Sequence, residues 1–431
     1  MNTPPGRVTS QGGRIDSICI ASGLMTSHRR VQRIGLFATA GLFLALLCNS
    51  TGAASNPSAQ RTSGHLHSRE LVAPLGSVVC TSQANCIGVG THVTPGTRHG
   101  HIVSNGGQPN GGFAAMTTDR GALWADTPRL VGVKGLDALA CATVRTCIAV
   151  GGNPVSKRYV IYKGVVTRTR DGGHTWKVLP TTPKKVGELT SMSCPTAHFC
   201  MAVGSSEAIW ASAVALVTRS DGQQWTRLTL PKYEPQLELV TCTTAFDCIA
   251  EGPHDGQSII FTSDGGATWT QAQLPTGNYP QGVIGIPILT GLACMSRTDC
   301  VLVGGIEGQH GEVSGLILSS ADGGRSWSYT ALPSGAAMMN AISCPAAMQC
   351  VAVGENFATA ENDLILTTID GGQHWVARPV PAAVIDLESV SCPTATTCVA
   401  TGLEENITGN IGERPVTVAS SDGGVTWRVT P

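Results

Sequence analysis

From residue 77 onward the chain alternates short apolar runs with clusters of Gly, Asp, Ser and Thr. In each cycle one apolar run ends at a Cys, and after five residues a second Cys opens a Cys-φ-Ala-Val-Gly stretch, φ being apolar. A variable segment follows, then another apolar run, then Ser/Thr-x-Asp-Gly-Gly-x-Thr-Trp, then a last short run that often stops at Leu-Pro. Runs this short, bounded by turn formers, predict strands rather than helices. Val351, Ala352 and Val353 put apolar side chains on both faces of one run, which predicts a sheet covered on both sides. In that repeat the pattern places strand A over Asn340–Cys344, B over Cys350–Gly354, C over Leu364–Thr368 and D over His374–Arg378.

The cycle occurs seven times, with first cysteines spaced by 61, 53, 48, 52, 50 and 48 residues. A period of about 50 with four short strands per unit predicts an all-β, seven-bladed β-propeller of four-stranded blades. The ring is expected over 72–431, behind a polar linker at 55–71. Ring closure is open at this level: residues 66–73 either add a strand beside the last strand D or do not.

Composition agrees with many tight turns: there are 52 glycines, 13% charged residues and 5% aromatics in 431 residues. Net charge is −1, and the first 54 residues hold five arginines against one aspartate, so the remainder carries −5. A mildly acidic body without a basic stripe argues against nucleic acid. Within residues 1–54, Arg29, Arg30 and Arg33 precede the apolar run Ile34–Leu47, and small residues follow through Ala53-Ala54-Ser55. This reads as an export signal, with Met25 as an alternative start. The run is short for a membrane span, which needs roughly 20 residues. Membrane attachment would require an uncleaved signal anchor or a lipid on Cys48. The expected location is secreted or cell envelope, and the expected state is a monomer.

Fourteen of the sixteen cysteines form Cys-x5-Cys pairs: Cys80/Cys86, Cys141/Cys147, Cys194/Cys200, Cys242/Cys248, Cys294/Cys300, Cys344/Cys350 and Cys392/Cys398. Behind an export signal they predict one disulfide per blade, each stapling the A–B hairpin between facing strand positions. No Cys-x2-Cys spacing occurs, and neither a metal nor a cofactor is expected.

The Asp-Gly-Gly segments centre on Asp119, Asp171, Asp221, Asp264, Asp322, Asp370 and Asp422, and they hold seven of the eight tryptophans. Gly-Gly permits positive φ in a C–D turn. The Asp carboxylate and the Ser/Thr hydroxyl can bond turn amides, and the Trp ring can bury itself. A feature repeated seven times predicts a structural role, because a catalytic group is used once. Two copies depart: Thr118-Asp119-Arg120-Gly121-Ala122-Leu123-Trp124 loses a Gly and the Thr, and Ser220-Asp221-Gly222-Gln223-Gln224-Trp225 reads one residue short.

These residues resemble the Asp-box, or BNR, repeat of bacterial sialidases, sortilin-type receptors and photosystem II assembly and stability factors. The resemblance covers about residues 72–431 and implies the fold more than any activity, since enzymes and non-enzymes share it. Sialidases add three arginines, a Tyr–Glu pair and an early Arg-Ile-Pro. No Arg-Ile-Pro occurs here, and the arginines beside the boxes (Arg168, Arg170, Arg219, Arg325) sit at structural positions. The likeness is closer to the assembly-factor type.

Short A–B and C–D turns are expected on one face and the variable B–C and D–A connections on the other, which makes the variable face the expected binding surface. It includes Thr91–Gly112, with His99 and His101, and Asn153–Tyr162, with Tyr159. Trp210, the one tryptophan outside a box, can stack on a sugar or anchor a partner. Glu251 replaces the valine of other B strands. Glu207, Glu307, Glu355, Glu404 and Glu405 make the face acidic in places. The reading is an exported, non-catalytic binding or assembly scaffold for a protein or a cell-envelope glycan. Two alternatives stand beside it. A carbohydrate-binding module would expose Trp210. A glycoside hydrolase would bring Glu251 within about 5–10 Å of Glu207 or Glu355.

Overall fold

A computed structural model describes residues 73–98, 101–128, 130–156, 161–179, 183–208, 211–231, 236–252, 258–275, 285–308, 313–333, 335–355, 363–405 and 413–430; for 93–98, 101–110, 363, 405 and 413 it describes the backbone alone. Among these residues there is no helix. Strands β1–β28 follow in chain order and form seven four-stranded antiparallel sheets, each built from four consecutive strands. Blade 6 runs Met339–Ala346, Gln349–Glu355, Asp363–Thr368 and Val376–Arg378, within two residues of expectation at every boundary. The seven A strands stand side by side around the axis, and the last, Val384–Ser391, contacts the first, Ser77–Cys80. The signal segment, Met25, Cys48 and the linker lie outside the described residues.

Each blade interface has its own apolar core, which is why the B strands are apolar on both faces. Met201 and Val203 of blade 3 meet Val240 and Ile260 of blade 4, for example. The tryptophan of each blade packs against the blade before it: Trp225 sits in the blade 2–3 core with Val166, and Trp427 in the blade 6–7 core with Val351 and Ile365. Among the described residues no strand is shared between the chain ends. The seam is closed by packing of Trp124 with Val399, by Trp124 Nε1 donating to Thr417 Oγ1 (3.0 Å), and by Thr430 Oγ1 donating to Gly121 O (2.8 Å).

Serine hydroxyls link neighbouring A strands, which no sheet pairing joins. Ser191 and Ser193 accept the amides of Val240 and Cys242 (3.1 and 3.0 Å), and Ser389 and Ser391 accept those of Val78 and Cys80 across the seam (3.1 and 2.9 Å). The glycine of Cys-φ-Ala-Val-Gly also has a reason invisible in the sequence. Beside it the A strand bulges inward, and a Cβ on Gly204 or Gly402 would run into the carbonyl oxygen of Glu188 or Asp386. Only a residue without Cβ allows that approach.

All seven disulfides are formed, each between cysteines six apart: Cys80–Cys86, Cys141–Cys147, Cys194–Cys200, Cys242–Cys248, Cys294–Cys300, Cys344–Cys350 and Cys392–Cys398. Each staples strands A and B of its own blade, as expected, and two details add to this. The first is register. In blades 1, 2, 4 and 5 the two cysteines face each other directly, as Cys86 faces Cys80 and Cys300 faces Cys294. In blades 3 and 6 the ladder shifts at the bridge, so Cys200 and Cys350 have no direct partner on strand A, and the bridge spans the irregularity. The second is burial. The second cysteine of each pair belongs to an interblade core rather than to an exposed hairpin end: Cys86, Cys200 and Cys300 are each only 1% exposed. Cys86 shares its core with Trp124, Cys200 with Trp225 and Cys300 with Trp327, the tryptophan of the same blade in every case. The physical reason is strand alternation. The second cysteine opens strand B, which is apolar on both faces, so its side chain points into the space between blades and acts there as a small hydrophobe.

The Asp-Gly-Gly turns share one hydrogen-bond plan. In blade 4, Thr262 Oγ1 accepts the Gly266 amide (3.0 Å) and donates to Asp264 Oδ1 (2.7 Å), which also accepts the Thr268 amide (2.9 Å). Gly265 and Gly266 take φ of +72° and +90°, and the Gly265 amide donates to Phe246 O in the A–B turn (2.9 Å). That bond puts both turns on the same face.

Blade 3 corrects the reading of its turn as one residue short. Thr218 Oγ1 accepts the Gly222 amide (3.1 Å) and Ser220 Oγ accepts the Gln224 amide (2.9 Å), so Ser220 stands where other blades have Asp. Asp221 occupies the first-glycine position, with φ +55°. Its carboxylate is released from the turn and takes Arg170 of blade 2, with Oδ2 3.0 Å from Nε and 2.5 Å from Nη2. A further revision concerns Thr91–Gly112. Residues 91–98 pair with 101–112 as a β-ribbon, Thr91 with Gly112 and Arg98 with His101, rather than forming an open loop. Its β-branched residues, among them Thr94, Thr97, Ile102 and Val103, favour that ladder, and the interspersed glycines disguised it.

Candidate functional site

The A strands begin on the face opposite these turns, and three of them bring carboxyl groups to the mouth of the ring. Asp137 directly precedes Ala138–Cys141 of blade 2 and is pinned there by its amide, which donates to Val150 O (2.9 Å). Glu188 lies in Val186–Thr196 of blade 3, at 4% exposure. Glu238 precedes Leu239–Cys242 of blade 4, with its amide on Glu251 O (2.7 Å) and its Oε1 accepting from Gln236 Nε2 (2.7 Å). Tyr162, at the start of strand C in blade 2, completes the group. A Cβ on Gly152 would lie 3.1 Å from Tyr162 Cβ and 3.2 Å from Glu188 Cγ, so the bare glycine lets these side chains close over it.

The electrostatics are those of uncompensated burial. Glu188 is pushed up to about 7 by burial and then by the charge of Glu238. Burial, then Glu188, raises Asp137 well above the ordinary carboxylate range. Burial also raises Glu238, against the opposing hydrogen bond from Gln236. Tyr162 rises through burial, Glu188 and Asp137. The Asp137 Oδ2 atom is sealed from solvent and has no hydrogen-bond partner among the described residues. An orphaned buried acceptor costs about 1–3 kcal/mol.

Across the ring, burial and then Asp386 push Glu355 up to about 7. Glu404, at 6% exposure, is held by Arg414 (Nε–Oε1 2.5 Å). Glu251 is 3% exposed within Cys248–Gly252, opposite Leu239 and Ile259 in register. Glu207 is exposed, its amide on Lys185 O (3.2 Å). Thus Asp386 is the carboxylate that acts on Glu355, and Glu238 the one that acts on Glu188. Trp210, Tyr159 and His99 lie outside the described residues, as does the side chain of His101, whose backbone is in the ribbon. Among the described residues no group of His, Cys, Asp and Glu is arranged to hold a metal ion. Sequence reasoning missed Asp137, Glu188 and Glu238. Their shared signal is an acidic residue four to six positions before the first cysteine of a blade, and the bulge in blade 3 shifts it out of register.

Two sets of titrations oppose each other. Hydrogen bonds from the Thr268 hydroxyl and amide and from Thr262 hold Asp264 at about 2, and bonds from His374, against some burial, do the same for Asp370. Stabilisation from such depressed groups is present above their ordinary value of 3.8 and is lost as pH falls toward 2. Glu188 and Glu355 are raised instead. Between their ordinary value of 4.5 and about 7 the folded state binds more protons than the unfolded chain, so stability is lost as pH rises through that window. The melting temperature is therefore expected to peak at about pH 4–5 and to fall on both sides. Glu188→Gln should make the alkaline limb shallower, with Glu355 still contributing, and leave the acid limb in place, as followed by calorimetry from pH 2.5 to 8.

No protein-family model matches the chain, and no curated protein matches it. Several solved structures are similar. YCF48 bound to D1 peptide is 17% identical over 68% of this chain and 81% of its own, with a TM-score of 0.46. YCF48 from Cyanidioschyzon merolae is 15% identical over 69% and 85%, with a TM-score of 0.47. The GH74 enzyme of Niastella koreensis is 12% identical over 83% and 66%, with a TM-score of 0.48. Similarity at this level concerns the propeller architecture.

Proposed function

We propose that the protein is an exported, non-catalytic binding scaffold that holds a cationic segment of a protein partner at the loop-face mouth of the ring. The observation that carries this reading is the convergence of Asp137, Glu188 and Glu238 from three consecutive blades, with Asp137 Oδ2 buried and lacking a donor. A lysine or arginine side chain would bring both the missing donors and the compensating charge. Export is supported by the basic-then-apolar N-terminal run and by seven disulfides, which persist in oxidising compartments. Hydrolysis fits less well. Glu188 has the raised pKa of a general acid, but Asp137 and Glu238 are raised with it, so no carboxylate of the group is set apart as the ionised nucleophile or base that hydrolysis needs.

The test is fluorescence anisotropy with a labelled Gly-Lys-Gly-Arg-Gly peptide and its Gly-Gln-Gly-Gln-Gly counterpart. The cationic peptide is expected to bind more tightly as pH rises from 6 to 8, because binding displaces protons from the cluster, and less tightly as salt is added. An Asp137→Asn/Glu188→Gln double variant should bind at least about tenfold more weakly, a loss of roughly 1.4 kcal/mol. Equal binding of the two peptides, or unchanged affinity in the double variant, removes the proposal. Turnover of aryl glycosides would replace it with the hydrolase.

A further inference from the structure

The repeats supply an internal comparison on the opposite, turn-bearing face. Arg170 and Arg219 hold the same place in blades 2 and 3, one residue after Thr169 and Thr218. Each reaches the turn of the following blade. Arg170 finds the carboxylate of Asp221 there. Arg219 finds Gly265, the residue at Asp221's position one blade on: a Cβ on Gly265 would lie 2.8 Å from Arg219 Nη2. The guanidinium rests over the Phe199 ring, 5.0 Å from its centroid, and no described carboxylate forms an ion pair with it. Where blade 3 supplies its own anion, the blade 3–4 junction has an open cleft of about 360 Å³, lined by Val217, Leu228, Gln224, Thr226 and Asp264. Asp264 does not serve Arg219. Its Oδ1 is taken by Thr262 and the Thr268 amide, and its Oδ2 by the Thr268 hydroxyl (2.6 Å).

We propose that this cleft binds the side-chain carboxylate of an acidic peptide segment, with Arg219 as its cation. The group expected beside Arg219 is an aspartyl side chain on peptide backbone, because Asp221 occupies the equivalent position beside Arg170 one blade earlier. A guanidinium preorganised over an aromatic ring presents a fixed fork of donors to a carboxylate. Gln224 and Thr226 add polar groups, and Val217 and Leu228 an apolar floor. The site lies on the other face from the acidic mouth, takes the opposite charge, and stands or falls independently of it.

The experiment follows arginine Nε–Hε signals in the full chain labelled with 15N-arginine. The Arg219 signal is identified by its loss in Arg219→Gln, whose tryptophan emission and melting temperature should match the parent. Titration with acetyl-Gly-Asp-Gly-amide is expected to move the Arg219 signal saturably and to leave that of Arg170, already paired, in place. Acetyl-Gly-Asn-Gly-amide should bind at least tenfold more weakly, and Arg219→Gln should abolish the binding seen by calorimetry. Equal response to the Asn peptide, unchanged binding in Arg219→Gln, or tighter binding of glucuronate than of the Asp peptide each overturns the proposal, the last in favour of an acidic sugar.

Discussion

Full reduction of the seven disulfides is expected to unfold the ring at room temperature without denaturant. Each bridge closes a loop of six residues in the unfolded chain, contributing about 2 kcal/mol on the loop-entropy model. Seven together reach roughly 14 kcal/mol, the upper part of the 5–15 kcal/mol that separates a typical folded domain from its unfolded state. The second cysteines, Cys86, Cys147, Cys200, Cys248, Cys300, Cys350 and Cys398, are all buried in the interblade cores. Reduction should therefore wait on opening of a blade, be slow in native buffer, and accelerate steeply in mild urea. Tryptophan emission reports the outcome, because seven indoles sit at the blade interfaces. Removing one bridge, as in Cys392→Ala/Cys398→Ala, should cost about 2 kcal/mol and leave the ring folded. A fully reduced protein with unshifted emission would show that packing and hydroxyl links suffice.

Gly402→Ala is the single substitution expected to cost most, about 3 kcal/mol or more. The new methyl group meets the Asp386 carbonyl oxygen, and both partners are backbone in the innermost strands, so neither can turn aside as a side chain would. Gly204→Ala should behave alike against the Glu188 carbonyl and also disturb the acidic mouth. Gly76 lies just before the first strand with nothing within 4 Å of an added Cβ. Gly76→Ala is therefore expected to be neutral or to stabilise by up to about 1 kcal/mol through the unfolded chain. Urea midpoints of the three variants decide the matter. If all three match the parent, the close approach of strands A and B has no energetic weight.

The architecture was legible because its determinants are local and periodic. Cysteines six apart, and a turn whose Thr, Asp and Gly bond within five residues, announce themselves in one window of sequence. The seven tryptophans count the blades for the same reason. What stayed hidden depends on neighbours about one blade away, 49 residues for Ser191 and Ser193 and 311 residues across the seam for Ser389 and Ser391. The serines at 191, 193, 389 and 391 look like ordinary strand residues until the next blade offers them an amide. Cys200 and Cys300 show only a bridging partner in the sequence, and their second role, as core atoms between blades, needs the neighbouring sheet. Asp221 looks like one more turn aspartate until the hydrogen bonds place Ser220 in that role. Asp137, Glu188 and Glu238 are unremarkable singly. They become a candidate site only because curvature of the ring brings three strand starts together and burial removes the water that would have screened them.

The seam carries a consequence for the order of events in folding. Six interfaces join blades that follow one another along the chain, so each can form soon after its second blade is complete. The seventh joins Val78 and Cys80 to Ser389 and Ser391, 311 residues later. Until those serines exist, one flank of blade 1 exposes Leu75, Val78 and Phe113, and the growing protein is an open arc with an apolar edge. Such an edge is the natural handhold for a chaperone and the natural point of attachment for a second unfinished copy. The same seam is where a completed ring would first spring open under force, because it alone lacks a short connecting segment.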